Sequence, residues 1–235
     1  MVASYNIHSC VGTDGRFDPG RVADVLTELN ADIIALQEVD AQHRLGDYLD
    51  QWTFLAQAAG YHCIPGISLR TQRRNYGNAL LTRRPVHQVR LHDLSIEAHE
   101  PRGAIDADIV VGQDLLRVVA THFGLRRGER RRQAEILGNL LAESATDQVP
   151  SGVLLGDLNE WLPISRSLRP LLHLFHRSHA PRTFPARRPL LALDRILAAG
   201  TAHLSDVAAH GSRLARLASD HLPVSASLSW LPVAE

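Results

Sequence analysis

Short apolar runs that follow one another without an intervening helix constrain the fold of this chain more than any other feature. Their lengths are typical of buried β-strands, and a helix would need ten or more residues. A doubly wound sheet would require a helix between successive strands. The pattern therefore predicts an α+β or layered α/β fold with two sheets. The runs cover residues 32–36, 78–81, 104–111, 115–121, 153–155, 193–198 and 224–228.

Three helices are expected among these strands. Asp18 and Pro19 form a strong helix start, as N-cap and first helical residue. A second helix is predicted over residues 47–59, with Gly60 ending it. A third is marked by apolar residues at helical spacing between 134 and 141. No repeat or convincing linker interrupts the 235 residues, so we expect residues 1–235 to form a single domain.

Charge and cysteine content narrow the possible partners and compartments. The formal net charge is zero, so no global field attracts polyanions. Arginines cluster only at residues 70–74 and 126–132, which we interpret as a solvated loop and a solvated helix face. Cys10 and Cys63 are too few for a disulfide framework and lack zinc-site spacing. With no membrane-length apolar stretch and no signal peptide, a cytoplasmic protein without an obligate protein partner is expected.

Polar residues capable of catalysis stand where the predicted strands end. Singly, each has an ordinary explanation: Asp157 as a helix cap, Asn159 as a turn residue, His122 as a core histidine. Asp194 is harder to explain in this way, because a carboxylate flanked by apolar residues needs a partner. Their joint placement at strand ends indicates one active site. The full set at these positions is Asn6, His8, Glu38, His122, Asp157, Asn159, Asp194, Asp220 and His221.

Seven short motifs occur in a characteristic order between Tyr5 and Pro223. They are Tyr-Asn-Ile-His, Leu-Gln-Glu-Val-Asp, Gly-Asn-Ala-Leu-Leu-Thr-Arg, Thr-His-Phe, Gly-Asp-Leu-Asn, Leu-Asp-Arg-Ile-Leu and Ser-Asp-His-Leu-Pro. This ordered set resembles the endonuclease/exonuclease/phosphatase superfamily of deoxyribonuclease-I-like, metal-dependent phosphoesterases. The resemblance implies a four-layer α/β/β/α sandwich with two central, mostly antiparallel sheets. It also implies hydrolysis of a phosphoester with the help of a divalent metal ion.

The resemblance also implies roles for individual residues. Glu38 would be the principal metal ligand, supported by Asn6 and Asp220, and such hard oxygen ligands suit Mg²⁺ or Mn²⁺. Asp157 would orient or deprotonate the attacking water, and Asn159 would hold that water or the phosphate. The other implied catalytic residues are His221, as phosphate donor or acid, Asp194, which fixes its tautomer and charge, and His122. The implied substrate contacts are His8, Asn78 and Arg102.

The sequence leaves several alternatives open for the type of enzyme and its substrate. A serine hydrolase would need a Gly-x-Ser-x-Gly elbow, and a zinc hydrolase a His-Glu-x-x-His motif; the chain has neither. Within the phosphoesterase interpretation we favour a phosphodiesterase or nuclease, with nucleic acid or nucleotides among the candidate substrates. A phosphomonoesterase acting on a lipid head group or an inositol or sugar phosphate is the alternative, as is an inactive binding module. His122 stands where abasic-site endonucleases carry tyrosine, so no preference for abasic DNA is expected.

Overall fold

The computed structural model describes residues 1–44, 47–72, 74–143, 151–162, 166–176 and 178–230. The strands are β1 (Val2–Asn6), β2 (Ile33–Arg44), β3 (Asp47–Asp50), β4 (His62–Arg70), β5 (Arg74–Thr82), β6 (Val86–Asp93), β7 (Gly103–Val111), β8 (Asp114–His122), β9 (Gly152–Asp157), β10 (Phe175–His176), β11 (Asp194–Ala199), β12 (Ala202–Ala209) and β13 (Val224–Trp230). The helices are α1 (Pro19–Leu29), α2 (Gln51–Ala59), α3 (Arg127–Glu143) and α4 (Ala215–Ala218), with 3-10 turns at His8–Cys10 and Leu171–His173.

The strands form two mixed sheets. The first has the order β12-β13-β1-β2-β5-β4, with β3 also paired to β2, and the second has the order β10-β11-β9-β8-β7-β6. Pairing is antiparallel except between β1 and β2 in the first sheet and between β8 and β9 in the second. The expectation of two mostly antiparallel sheets is therefore confirmed.

The two sheets pack face to face and helices cover their outer faces. Ile33 and Leu80 of the first sheet and Ile105 and Val153 of the second belong to one buried cluster between the sheets. A second cluster joins α1 and α2 to the outer face of the first sheet, and a third joins α3 to the outer face of the second. Because apolar side chains on both faces of each sheet are removed from water, the four-layer α/β/β/α arrangement results.

Helix α1 begins as predicted, but α2 does not. The side chain of Asp18 accepts the backbone N–H of Arg21 and caps α1. Helix α2 begins at Gln51 rather than at residue 47, which corrects the prediction of a helix over 47–59. The physical reason is that residues 47–50 pair with β2 as a strand, and the Asp50 side chain then caps the helix by accepting the N–H of Trp52.

The second arginine cluster is not wholly a solvated helix face. Arg126, Arg127, Arg131 and Arg132 are exposed, whereas Arg130 is buried. Arg130 points inward because its Nη1 donates to the carbonyl oxygen of Leu125 at 2.6 Å and its Nε lies 3.5 Å from Oε2 of Glu160. Arg73 of the first cluster lies outside the described residues. No helix formed by the described residues is long and apolar enough to cross a bilayer.

Candidate active site

The first sheet contributes an amide and a carboxylate from neighbouring strand ends. Parallel pairing sets Asn6, at the end of β1, opposite Gln37 of β2. The pairing of β2 with β5 shifts between Leu36 and Val39, so Glu38 lies in a bulge with a φ of 58°. This bulge brings the Glu38 carboxylate to Asn6, whose Nδ2 donates to Oε1 at 2.9 Å.

The second sheet aligns three catalytic candidates on adjacent strands. His122 of β8 is in register with Asp157 of β9, and Asp157 is in register with Asp194 of β11. The close approach of β8 and β9 requires glycine at position 156, because a Cβ there would lie 2.1 Å from the carbonyl oxygen of Thr121. The three side chains therefore lie next to one another where strands β8 and β9 end and β11 begins.

Asn6 and Ser219 join the residues of the two sheets into one site. The Nδ2 of Asn6 also donates to Oδ2 of Asp157 at 3.1 Å. Ser219 donates its hydroxyl to the carbonyl oxygen of Asn6 at 2.8 Å and accepts the backbone N–H of His221 at 3.2 Å. His221 is thereby brought to the second sheet, with Nδ1 2.9 Å from Oδ2 of Asp194 and Nε2 3.8 Å from Oδ2 of Asp157.

The two imidazoles of the site have opposite protonation preferences. Burial, together with the nearby charges of Arg102 and His221, holds the pKa of His122 well below its usual value. Burial also opposes charging of His221, but the carboxylates of Asp194 and Asp157 outweigh it and raise the pKa of His221 to about 10. These opposite shifts favour the neutral form of His122 and the protonated form of His221.

Asp157 lies between these histidines. Its Oδ2 is 3.6 Å from Nε2 of His122, and its Oδ1 accepts the backbone N–H of Asn159 at 2.8 Å. Burial and the Asp194 carboxylate raise the pKa of Asp157, which makes it a stronger proton acceptor than an exposed aspartate. Asn159 is fixed beside it, because its Nδ2 donates to the carbonyl oxygen of Phe123 at 2.9 Å.

The three residues predicted to contact the substrate differ in the contacts that they already make within the protein. Arg102 is buried, with Nη1 3.3 Å from Nδ1 of His122 and 2.7 Å from Oε1 of Glu100. The Nδ2 of Asn78 donates to the carbonyl oxygen of Gly103 at 3.1 Å, which ties β5 to the residue after Arg102. The ring of His8 is half-buried, and its Nδ1 lies 3.8 Å from Oδ1 of Asp220.

Two side chains of the site were not predicted from the sequence. Tyr76 is buried, hydrogen-bonds Arg102 and has its pKa raised by burial and by the Glu38 carboxylate. It lies two residues before Asn78 on β5, so the alternation of side chains along a strand could have indicated it. Thr183 donates its hydroxyl to Oδ2 of Asp194 from a loop, and no sequence pattern marks it.

Two sets of side chains could hold a cation. Asp157, Asp194 and His221 offer ligand atoms within 4.8 Å of one another, and a metal bound there would displace the proton that the two carboxylates favour on His221. Glu38 and Asp220 form the alternative set with Asn6. Among the described residues, neither of these two carboxylates forms an ion pair with an arginine, so their charge is free to be neutralised by a hard cation. The ligands that the resemblance implies, Glu38, Asn6 and Asp220, offer oxygen atoms of the kind that a hard divalent ion prefers.

Comparison with known proteins identifies relatives of this chain in both sequence and fold. The Endonuclease/Exonuclease/phosphatase family matches residues 3–221. Uncharacterized protein YbhP of Escherichia coli strain K12 is 30% identical over 248 residues, covering 97% of this chain and 95% of YbhP. A Bacteroides vulgatus endonuclease/exonuclease/phosphatase structure has a TM-score of 0.78 at 19% identity and covers 98% of both chains. The mannosyl-6-phosphatase of Bacteroides thetaiotaomicron has a TM-score of 0.74 at 17% identity, covering 97% of this chain and 99% of its own. The chain therefore belongs to the Endonuclease/Exonuclease/phosphatase family, whose enzymes hydrolyse phosphoesters.

Proposed function

We propose that this protein is a divalent-metal-dependent phosphoester hydrolase that acts on phosphodiesters, with Mg²⁺ or Mn²⁺ as cofactor. The observation that carries the proposal is the position of Asp157 between His122 and His221, within hydrogen-bond reach of Asn6. A phosphodiester is anionic and resists attack, so its cleavage requires neutralised charge and a positioned nucleophile. This arrangement supplies both.

Glu38, Asn6 and Asp220 would hold the metal ion, which supplies positive charge to a phosphoryl oxygen when bound. The contacts of Asn6 support a second role for it. Its Nδ2 donates to both Glu38 and Asp157, so it fixes the spacing between the metal-binding edge and the catalytic carboxylate. A hydrogen bond between its Oδ1 and the backbone N–H of His8 keeps the amide in this orientation.

Asp157 orients the attacking water and accepts its proton. Both carboxylate oxygens already accept hydrogen bonds, from Asn6 and from the backbone of Asn159, so the group has little rotational freedom. A carboxylate held in this way can aim a water along the line of the leaving oxygen. Asn159, with its amide fixed on Phe123, is placed to hold that water or a phosphate oxygen.

His221 stabilises the developing charge and donates a proton to the leaving oxygen. Its Nδ1 is engaged by Asp194, which fixes the tautomer and keeps the ring protonated, so Nε2 carries the proton that can be donated. A diester has a poor alkoxide leaving group and therefore gains from such an acid. Arg102, Asn78 and His8 contact the remaining phosphate oxygens in this proposal.

Phosphomonoesters are the second candidate substrate class. A mannosyl-6-phosphatase shares the fold over nearly the whole of both chains, and its name describes the release of phosphate from a sugar. The same residues could serve that reaction, because a phosphorylated sugar also needs charge neutralisation and a protonated leaving oxygen.

Parallel assays with bis(4-nitrophenyl) phosphate and 4-nitrophenyl phosphate test the proposal and separate the two classes. With Mg²⁺ or Mn²⁺ we expect faster release of nitrophenolate from the diester, and loss of activity in EDTA. His221→Ala should lower this activity through the loss of its positive charge, because nitrophenolate is a good leaving group that needs little help from an acid. His210→Ala is the matched control, because His210 lies near the surface and contacts Glu28 at 2.7 Å. No hydrolysis of either ester with any divalent ion would contradict the proposal.

A further inference from the structure

A cavity of about 460 Å³ lies on the outer face of the second sheet. Arg195 and Leu197 of β11 line it, and side chains alternate along a strand. Leu197 packs in the cluster that contains α3, whereas Ile196 packs in the cluster between the two sheets. Asp194, which precedes Arg195, points to the other face and contacts His221. The sheet therefore separates this cavity from the candidate active site.

The lining of the cavity is largely apolar. Leu168 and Leu197 are buried and Leu172 is half-buried. Trp161 and Leu190 also line the cavity and are each 60% exposed, so solvent reaches it. The volume falls within the range of about 300–1,000 Å³ that is usual for small-molecule sites. The cavity could therefore take a small molecule with an apolar body.

Arg195 provides a donor that the described residues do not satisfy. Its Nη2 donates weakly to the carbonyl oxygen of Glu160 at 3.4 Å, while its buried Nε has no hydrogen-bond partner in the described part of the chain. Burial lowers the pKa of Arg195, and the carboxylates of Glu160 and Asp194 do not offset this effect. A buried donor without a partner is costly, and a ligand atom that accepts a hydrogen bond would remove this cost.

The charges around the cavity favour an anion. Glu160 is the only acidic side chain among the described residues that line it. Its carboxylate already accepts hydrogen bonds from the hydroxyl of Ser167 and, at 3.1 Å, from the backbone N–H of Leu162, and it lies 3.5 Å from Nε of Arg130. Arg182 also lines the cavity, is exposed and forms no ion pair within the described ranges. The lining thus has two guanidinium groups and one carboxylate that Arg130 already neutralises.

We propose that the cavity binds a small organic carboxylate with an apolar body, such as a fatty acid of medium chain length, at a site separate from the candidate active site. The carboxylate accepts the hydrogen bond of the Arg195 Nε, and the apolar body packs against the leucines and Trp161. A neutral apolar molecule would leave this donor without a partner. A phosphate dianion would bring a second charge beside a single buried cation, at a higher desolvation cost.

Calorimetric titration with octanoate tests this site, and three probes separate the contributions to binding. Acetate has the carboxylate without the body, 1-octanol has the body without the charge, and octylamine has the opposite charge. EDTA is present throughout, so that no metal ion binds the carboxylate. We expect one octanoate per chain, bound about tenfold or more tightly than acetate or octanol. Octylamine should bind no more tightly than octanol.

Variants then locate the binding in the cavity. Arg195→Met should weaken octanoate binding about fivefold or more and leave octanol unaffected, because only the charged head contacts the guanidinium. Ala180→Trp should abolish binding, because Ala180 lines the cavity and the larger side chain fills it. Arg188→Met is the matched control, because Arg188 is exposed in the same loop as Leu190 but does not line the cavity. This control should bind octanoate like the wild type.

Two further variants keep the result decisive. Ala180 is half-buried, so thermal unfolding of Ala180→Trp is measured first. If that variant does not fold, Arg182→Met replaces it, since Arg182 is exposed and its loss should weaken octanoate but not octanol. His221→Ala should bind octanoate like the wild type, because His221 is not among the residues that line the cavity.

The outcomes separate this site from the proposed hydrolysis. Equal affinity for octanoate and octanol, or tighter binding of octylamine, would overturn the assignment of a carboxylate. Binding that survives Ala180→Trp, or that is lost in His221→Ala, would place octanoate outside the cavity and overturn the site. Octanoate binding that depends on Arg195 would support the site even in a protein that cleaves no phosphoester.

Discussion

Replacing Asp106 with asparagine should markedly destabilise the fold. Asp106 is fully buried on β7, and its carboxylate accepts hydrogen bonds from Arg90, His92 and Arg117. The contacts to Arg117 are 2.9 Å from Nε and 2.7 Å from Nη2, and those to Arg90 are 3.0 and 3.1 Å. Asparagine keeps the shape but removes the charge that balances two guanidinium groups.

The expected loss is about 3 kcal/mol in the free energy of unfolding at pH 7, at the lower end of the usual range for removing one member of a buried ion cluster. We take the lower end because Arg90 keeps its contacts with Asp108 at 2.9 Å. For a chain of this size such a loss corresponds to a fall of roughly 6–12 °C in Tm. Urea and thermal unfolding followed by circular dichroism measure both quantities.

The stabilisation of the fold by the Asp106 carboxylate is expected to decrease at low pH. Burial opposes ionisation of Asp106, but the hydrogen bonds from Arg117, His92 and Arg90 hold its pKa far below the usual range. The unfolded chain has a pKa of about 3.9 at this residue. Stabilisation by the carboxylate is therefore complete above that pH and is lost as the pH falls toward the folded-state pKa. The difference between wild type and Asp106→Asn should therefore narrow below about pH 4.

Asp108→Asn is the matched control for this experiment. Asp108 is on the same strand but partly exposed, and it contacts Arg90. Its loss should cost about 1 kcal/mol or less. If Asp106→Asn unfolds within about 0.5 kcal/mol of wild type at pH 7, or costs no more than the control, the cluster does not stabilise the fold as argued.

Three further predictions concern the site. Glu38→Gln should weaken Mg²⁺ binding and nearly abolish turnover; unchanged affinity by calorimetry would show that the ligand assignment is wrong. Asp157→Asn and His221→Ala should each lower kcat about a hundredfold or more, and the double variant should lose far less than the product of the two factors. Multiplicative losses would mean that the two residues do not serve one transition state. Binding to an abasic DNA duplex should be weak and lost at moderate salt, because few counterions are released. Tight, salt-resistant binding with preferential incision there would contradict the assignment.

The central strands could be predicted from the sequence because they are buried on both faces. Edge strands could not, since their alternation of polar and apolar residues is weak. Strand β6 carries exposed residues along most of its length, β12 alternates only partly, and β4 includes Pro65 and Gly66, which disfavour strands. The strand at residues 47–50 was also not predicted. Four residues are too few to show a periodic pattern, so only the pairing with β2 identifies them as a strand.

The sequence indicated several candidate residues that the structure brings together, whereas their contacts could not be predicted. Strand ends and the ordered motifs indicated Asn6, Asp157 and His221, which the structure brings together. The left-handed backbone at Glu38 arises from a mismatch between β2 and β5, which no local pattern specifies. Thr183 reaches Asp194 from a loop, and such tertiary contacts leave no periodic signal.

The order of strands in the first sheet has a consequence for biosynthesis. Strand β1 lies between β2 and β13, so its second neighbour is translated more than 200 residues after it. At a translation rate of about 5–20 residues per second, one edge of β1 remains without its partner β13 for roughly 10 to 45 s. The second sheet, built from the continuous segment β6 to β11, can pair during this interval. Asn6 contacts Ser219, which in turn binds the backbone of His221, so the nascent chain can assemble the candidate site only after residues 219–221 have been translated.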